Sequence, residues 1–146
     1  MASAQTQLML QADEEEVVEF LAEYDGLLLR EVDDAATYWV VLHPSRTAAE
    51  MFYVRLGWTR YPDAPPSVRF HDGIAGSFAS MRAWPLIPGY RPGSWDICKP
   101  FTAEGYAVHP EWVGGPQGWR STGNPFLYVV QTLQFDLNNS YQGRAE

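Results

Sequence analysis

Three prolines within five residues, in Tyr61-Pro-Asp-Ala-Pro-Pro-Ser-Val-Arg-Phe70, limit what the middle of this chain can fold into. Proline at 62, 65 and 66 removes three backbone donors and fixes three φ angles, and each ring pushes the preceding residue toward extended backbone. The segment is therefore a rigid extended crossover that cannot itself join a sheet. It follows one run of strand-like sequence directly and leads into another.

Upstream of the crossover the hydrophobic period is two. Residues 27–32, 37–43 and 50–58 are rich in β-branched and aromatic side chains and are separated by turn-type segments, which predicts an antiparallel meander. In the third run Phe52, Val54, Leu56 and Trp58 fall on one face, with Tyr53, Arg55 and Thr59 on the other. Ahead of the strands, Asp13-Glu-Glu-Glu16 has the form of a capping box, with acids in the first turn where the helix dipole favours them. Val17, Phe20, Leu21 and Tyr24 then recur at helical spacing, so a helix is predicted over 13–24 and residues 1–12 are expected to be flexible. Asp25-Gly26 stops it.

A second helix is predicted after Asn124-Pro125, an N-cap residue followed by proline at the first helical position. Phe126, Val129, Val130, Leu133 and Leu137 trace its apolar stripe, and Asn138-Asn139 can end it. Helices packed on an antiparallel sheet make the fold class α+β. At 146 residues the chain is read as a single domain over 1–146. Between the fourth strand and the last helix, residues 71–123 hold most of the glycines and more than half of the prolines, so loops there should be long and either functional or mobile.

Charge is unevenly spread. The first 34 residues carry ten acids against Arg30 alone, while the remainder is nearly balanced. Phosphate-backbone binding needs clustered Lys and Arg, so nucleic acid is not expected as a partner. An acidic helix reads either as a solvated face or as a surface for a basic partner. No apolar run approaches the roughly 20 residues of a membrane span, and no basic leader precedes an apolar segment. A single cysteine cannot build a disulfide framework, which points to the reducing cytoplasm.

That cysteine, Cys98, is adjacent to the only lysine, Lys99, in Gly93-Ser-Trp-Asp-Ile-Cys98-Lys-Pro100. A lone thiol is either core filler or a nucleophile. The crossover favours the nucleophile, because it resembles the Tyr-Pro-x-x-Pro-Pro-x-Val/Ile-x-Phe signature of the ubiquitin-conjugating enzymes at Tyr61, Pro62, Pro65, Pro66, Val68 and Phe70. The order of elements is similar to that family's fold as well, running helix, four-stranded meander, catalytic segment, helix. Ser94-Trp-Asp-Ile-Cys98 resembles its Gly-x-Ile-Cys segment, with Trp95 where glycine is usual, and Trp119 resembles the tryptophan ahead of the helix behind the active site.

The resemblance implies that Cys98 accepts a ubiquitin-like modifier from an activating enzyme as a thioester and passes it to an amine, with a protein substrate as one possible acceptor and with no cofactor. It also implies departures. The family's His-Pro-Asn should lie shortly before the cysteine, yet no asparagine precedes Asn124 and the local sequence reads Ile87-Pro-Gly-Tyr90. The longer flanks of Cys98 and the missing terminal helices resemble divergent bacterial relatives, encoded beside their own activating enzyme, modifier and protease, for which a role in antiviral defence is the expectation. A non-catalytic adaptor of the same fold is the alternative, favoured by the absent asparagine.

Other residues are weighed against plainer roles. His109, eleven positions after the cysteine, is either a base or oxyanion donor in place of the asparagine or a loop histidine bonded to backbone. Asp96 and Tyr90 are candidate assistants. Trp95 and Trp112 flank the cysteine segment and are candidates to line the groove for the modifier's tail, although tryptophan is core by default. Lys99 has three readings: a cation favouring the thiolate, opposed by Asp96; a contact or acceptor for the modifier; or a plain exposed lysine. Neighbouring residues on a strand point to opposite faces, which disfavours capture by Lys99. His43 and His71 read as strand ends, and no close Cys or His pairs propose a metal site.

Overall fold

Ser3, not Asp13, begins the first helix. The computed structural model describes residues 2–146, and in it α1 runs Ala4–Ala22 with the Ser3 hydroxyl oxygen accepting from the Thr6 amide at 3.1 Å. The segment expected to be flexible before residue 13 is thus largely helical. Thr6, Leu10, Val17 and Leu21 are buried along one stripe. The acidic run sits in mid-helix and serves the sheet. The Asp13 carboxylate accepts the Tyr61 hydroxyl, while Glu14 accepts the Tyr38 hydroxyl and takes a bidentate pair from Arg30 at 2.9 and 2.7 Å. A cap signature and a pair of part-buried acceptors look alike in sequence, since both need carboxylates beside an apolar stripe.

The meander is as expected: β1 (Leu27–Arg30), β2 (Thr37–Leu42), β3 (Phe52–Gly57) and β4 (Ser67–His71) pair antiparallel in sequence order. Strand ends are trimmed by one or two residues from the predicted bounds. β1 stops at Arg30 because the Asp34 side chain organises the following turn, accepting from the Ala36 amide at 2.9 Å and the Thr37 hydroxyl at 2.9 Å. β3 alternates as its pattern predicts, with Phe52, Val54 and Leu56 buried. β2 is buried throughout: Tyr38, Val40 and Leu42 join the main core, whereas Trp39 packs edge-on to His71 on the opposite face, ring centres 4.9 Å apart.

The second long helix, α3 (Pro125–Ser140), comes after the short α2 (Ala103–Val108) and is capped by Asn124, whose Oδ1 accepts from the Leu127 amide at 2.9 Å. It continues through Asn138 and Asn139, because Asn138 is occupied by bonds from the Ser45 amide and Gln134 rather than by a terminating turn. All five residues of the predicted stripe are buried, and Phe126 stacks edge-on to Tyr38 at 4.8 Å. α1 lies beside it through Phe20 and Phe135. The proline crossover is the junction of these layers: Tyr61 donates to Asp13 of α1 and accepts from the Phe126 amide of α3 at 3.1 Å, and the Tyr61–Pro62 peptide is cis.

Only short elements occupy 71–123, in keeping with its glycine and proline content. They are the ribbon β5 (Tyr90–Arg91) with β6 (Asp96–Ile97), the helix α2 (Ala103–Val108) and three single 3-10 turns. Among the described residues no helix is long and apolar enough to cross a membrane.

Candidate functional site

The ribbon places Cys98. Tyr90 pairs with Ile97 and Arg91 with Asp96, and the Cys98 amide extends the ladder by donating to the Gly89 carbonyl at 2.8 Å. Alternation along an extended strand then sorts the side chains. Tyr90 and Ile97 are buried, facing the core, and Asp96 and Arg91 lie on the other side, where Cys98 follows two residues after Asp96. The thiol is half-buried.

Arg91 closes a bidentate pair on Asp96, Nε to Oδ1 at 2.8 Å and Nη2 to Oδ2 at 2.7 Å. The Asp96 carboxylate holds the guanidinium above its ordinary pKa, and the nearby Cys98 adds to the same effect. The cation on the cysteine's face is therefore Arg91. Lys99 lies on the other face, where its Nζ meets Asp136 Oδ2 of α3 at 3.2 Å and stands 5.5 Å from the centre of the Tyr90 ring. It is not the plain exposed lysine that sequence allows.

Tyr90 is committed to the same carboxylate, donating to Asp136 Oδ2 at 2.7 Å. Burial, reinforced by Asp136, pushes its hydroxyl well above the ordinary tyrosine value. Its hydroxyl thus points to α3, on the side of Lys99. Trp95 ends the turn of the ribbon in the left-handed region at φ 58°, packs against Trp84 at 6.4 Å, and offers its carbonyl to Arg69 Nε at 3.3 Å.

Downstream, the Cys98-Lys99-Pro100 segment is pinned by α2. The Thr102 hydroxyl donates to the Ile97 carbonyl at 2.7 Å and accepts from the Gly105 amide at 2.9 Å, capping the helix. Glu104 accepts from the Val68 amide at 3.0 Å, fastening α2 to β4. Gly105 lies against the Lys99 backbone so closely that a Cβ there would sit 2.2 Å from the Lys99 carbonyl oxygen.

His109 ends α2, its amide donating to the Gly105 carbonyl at 2.9 Å. Its ring stacks on Trp112 at 4.3 Å and 19°, and its Nδ1 lies 3.0 Å from Glu111, which that contact holds below the ordinary carboxyl range. Among the described residues, the hydrogen bonds and ring contacts of its side chain are to Glu111 and Trp112, not to Cys98, Asp96 or Tyr90. The seven predicted residues thus form two groups: Tyr90, Trp95, Asp96, Cys98 and Lys99 on the ribbon, His109 and Trp112 at the exit of α2. Beside the second group run two adjoining grooves of ≈ 520 and ≈ 600 Å³ that share Pro116, Gly118, Trp119 and Arg120; the first reaches Pro100, two residues past the cysteine.

Arg91 and Asp136 are the members of the site that sequence reasoning missed. Arg91 carried a usable signal, an opposite-charge pair with Asp96 bracketing a Pro-Gly turn. Asp136 carried a weaker one, an acid beside Leu133 and Leu137 on an otherwise apolar stripe. Among the described residues no group of three or more His, Cys, Asp and Glu side chains is arranged to hold a metal ion. No protein-family model matches this sequence, and no curated protein matches it.

Proposed function

We propose that this chain is a ubiquitin-conjugating-type enzyme of the cytoplasm, in which Cys98 takes a ubiquitin-like modifier from an activating enzyme by transthiolation and delivers it to an amine. The observation that carries the reading is the position of a half-buried, unpaired thiol at the end of a short ribbon, directly beside the Arg91-Asp96 pair and downstream of the Tyr61-to-Phe70 crossover. A nucleophilic cysteine acts as the thiolate. The exposed acids of α1 and its C-cap, Glu15, Glu16, Glu19 and Glu23, would then face a basic activating enzyme.

A second reading has its own support. The family's asparagine has no counterpart ahead of Cys98, and His109 makes its contacts elsewhere, which suits a non-catalytic module that binds the modifier without carrying it. One assay separates the two. Incubation with activating enzyme, modifier and ATP, followed by a non-reducing gel, yields a thiol-sensitive adduct that Cys98→Ala abolishes if the chain is an enzyme. Stable modifier binding without an adduct supports the adaptor and overturns the first reading.

A further inference from the structure

Resting on the thioester reading above, we propose that Asp136 is a clamp that withholds Lys99, the chain's only lysine, from acylation by the protein's own thioester. Three contacts hold that side chain on the face opposite Cys98. Its ammonium pairs with Asp136 Oδ2 at 3.2 Å, it stands over the Tyr90 ring at 5.5 Å, and its stem lies in a seat left by Gly89. Gly89 has φ +90°, which favours glycine, and a Cβ there would come within 2.9 Å of Lys99 Cε.

The same carboxylate oxygen receives the buried Tyr90 hydroxyl at 2.7 Å, so Asp136 is itself held in place. Lys99 and Asp136 retain 29% and 18% of their side-chain exposure. The amine is restrained at the edge of the fold and is not sealed within it. The reaction avoided is simple. Attack by the lysine nitrogen on the acyl carbon breaks the C–S bond to Cys98, forms an amide C–N bond, and passes the amine proton to the departing sulfur. Such an amide no longer carries activated modifier, and every other cationic side chain is arginine, which leaves Lys99 as the one side-chain amine needing restraint.

Two measurements test this. In the first, the wild-type protein is treated with a small amine-acylating reagent, with its own α-amino group as internal reference and peptide mass spectrometry as the readout. Lys99 in the folded protein should react about two- to fivefold more slowly than in urea-unfolded protein, the size expected of a partly exposed ion pair. Equal rates overturn the clamp, and this result does not depend on any conjugation activity. In the second, the charged Asp136→Asn protein should accumulate a thiol-resistant modifier adduct on Lys99 that wild type and Asp136→Glu lack and that Lys99→Arg removes. A variant that forms the thioester with no such adduct also overturns it, whereas absence of thioester in wild type defeats the proposed function instead.

Discussion

The indole N–H of Trp119 donates to the Pro62 carbonyl at 2.8 Å, joining the loop before α3 to the proline crossover. The Trp119 ring also contacts Trp58 at 6.2 Å and Tyr128 at 6.3 Å, so one side chain fastens the crossover, the end of β3 and the last helix. Trp119→Phe keeps much of the apolar body and loses the bond. It should cost about 1–2 kcal/mol, since the carbonyl is left without its partner. Thermal unfolding would report this as a Tm lower by about 2–4 °C per kcal/mol at this chain length.

Arg91 and Asp96 should act on Cys98 with opposite signs. Arg91→Ala leaves the carboxylate uncompensated beside the thiol and should slow alkylation of this sole cysteine by iodoacetamide roughly two- to fivefold. Asp96→Asn leaves the guanidinium unopposed and should accelerate it by a similar factor. Rates moving in the same direction in both variants would mean that accessibility, not charge, governs the thiol.

How far the sequence could be read depended on whether a signal was local. The meander, its register face and the stripe of α3 follow from periodicity, which is a property of adjacent residues. The capped start of α1 escaped because Thr6 occupies a core position usually filled by an apolar residue, which weakened the helical period ahead of Asp13. The site divided in the same way. Cys98, Asp96 and Arg91 lie within eight residues of one another, but the partner that fixes Lys99 and Tyr90 is Asp136, 37 and 46 positions away, and no spacing rule connects them.

Stability should form a plateau between about pH 6.5 and 10. Burial lowers the His71 pKa below its usual 6.5, with the Arg55 and Arg69 charges adding to the effect. The unfolded chain therefore takes up that proton first, and the contribution, present above about 6.5, is lost as pH falls. Burial raises Tyr38, Tyr61 and Tyr90 above the usual 10, with Glu14, Asp13 and Asp136 reinforcing each in turn. Their contribution is complete below about 10 and is lost at higher pH, when the unfolded chain ionises first. Urea midpoints across pH should show both limbs, with His71→Gln flattening the acid limb and Tyr90→Phe the alkaline one. An unchanged acid limb in His71→Gln would remove His71 from that account.

If the proposed conjugating activity holds and His109 acts as base or oxyanion donor in place of the asparagine, its role belongs to transfer and not to loading. His109→Ala should form the Cys98 thioester at a normal rate and discharge it to a small amine about 10²-fold more slowly, the scale of a positioned general base. Equal discharge by the two proteins would reduce His109 to a stacking partner of Trp112.

Gly105→Ala sets two effects against each other. Helix propensity alone favours alanine by about 1 kcal/mol in a helix interior. The new Cβ, however, would lie 2.2 Å from the Lys99 carbonyl oxygen and 2.9 Å from the Lys99 nitrogen, both backbone atoms that cannot rotate away. Relief requires α2 to lift from the Cys98-Lys99 segment, straining the Thr102 bond to Ile97 and the Glu104 bond to Val68. Overpacking costs about 1–3 kcal/mol, and an approach of 2.2 Å to backbone belongs at the upper end of that range, so the clash outweighs the propensity and the variant should be less stable by about 1–2 kcal/mol net. The lifted helix should also expose the cysteine segment. Urea unfolding and the Cys98 alkylation rate would therefore move together, the midpoint down and the rate up; a stabilised variant with unchanged alkylation would show that α2 does not pin the thiol.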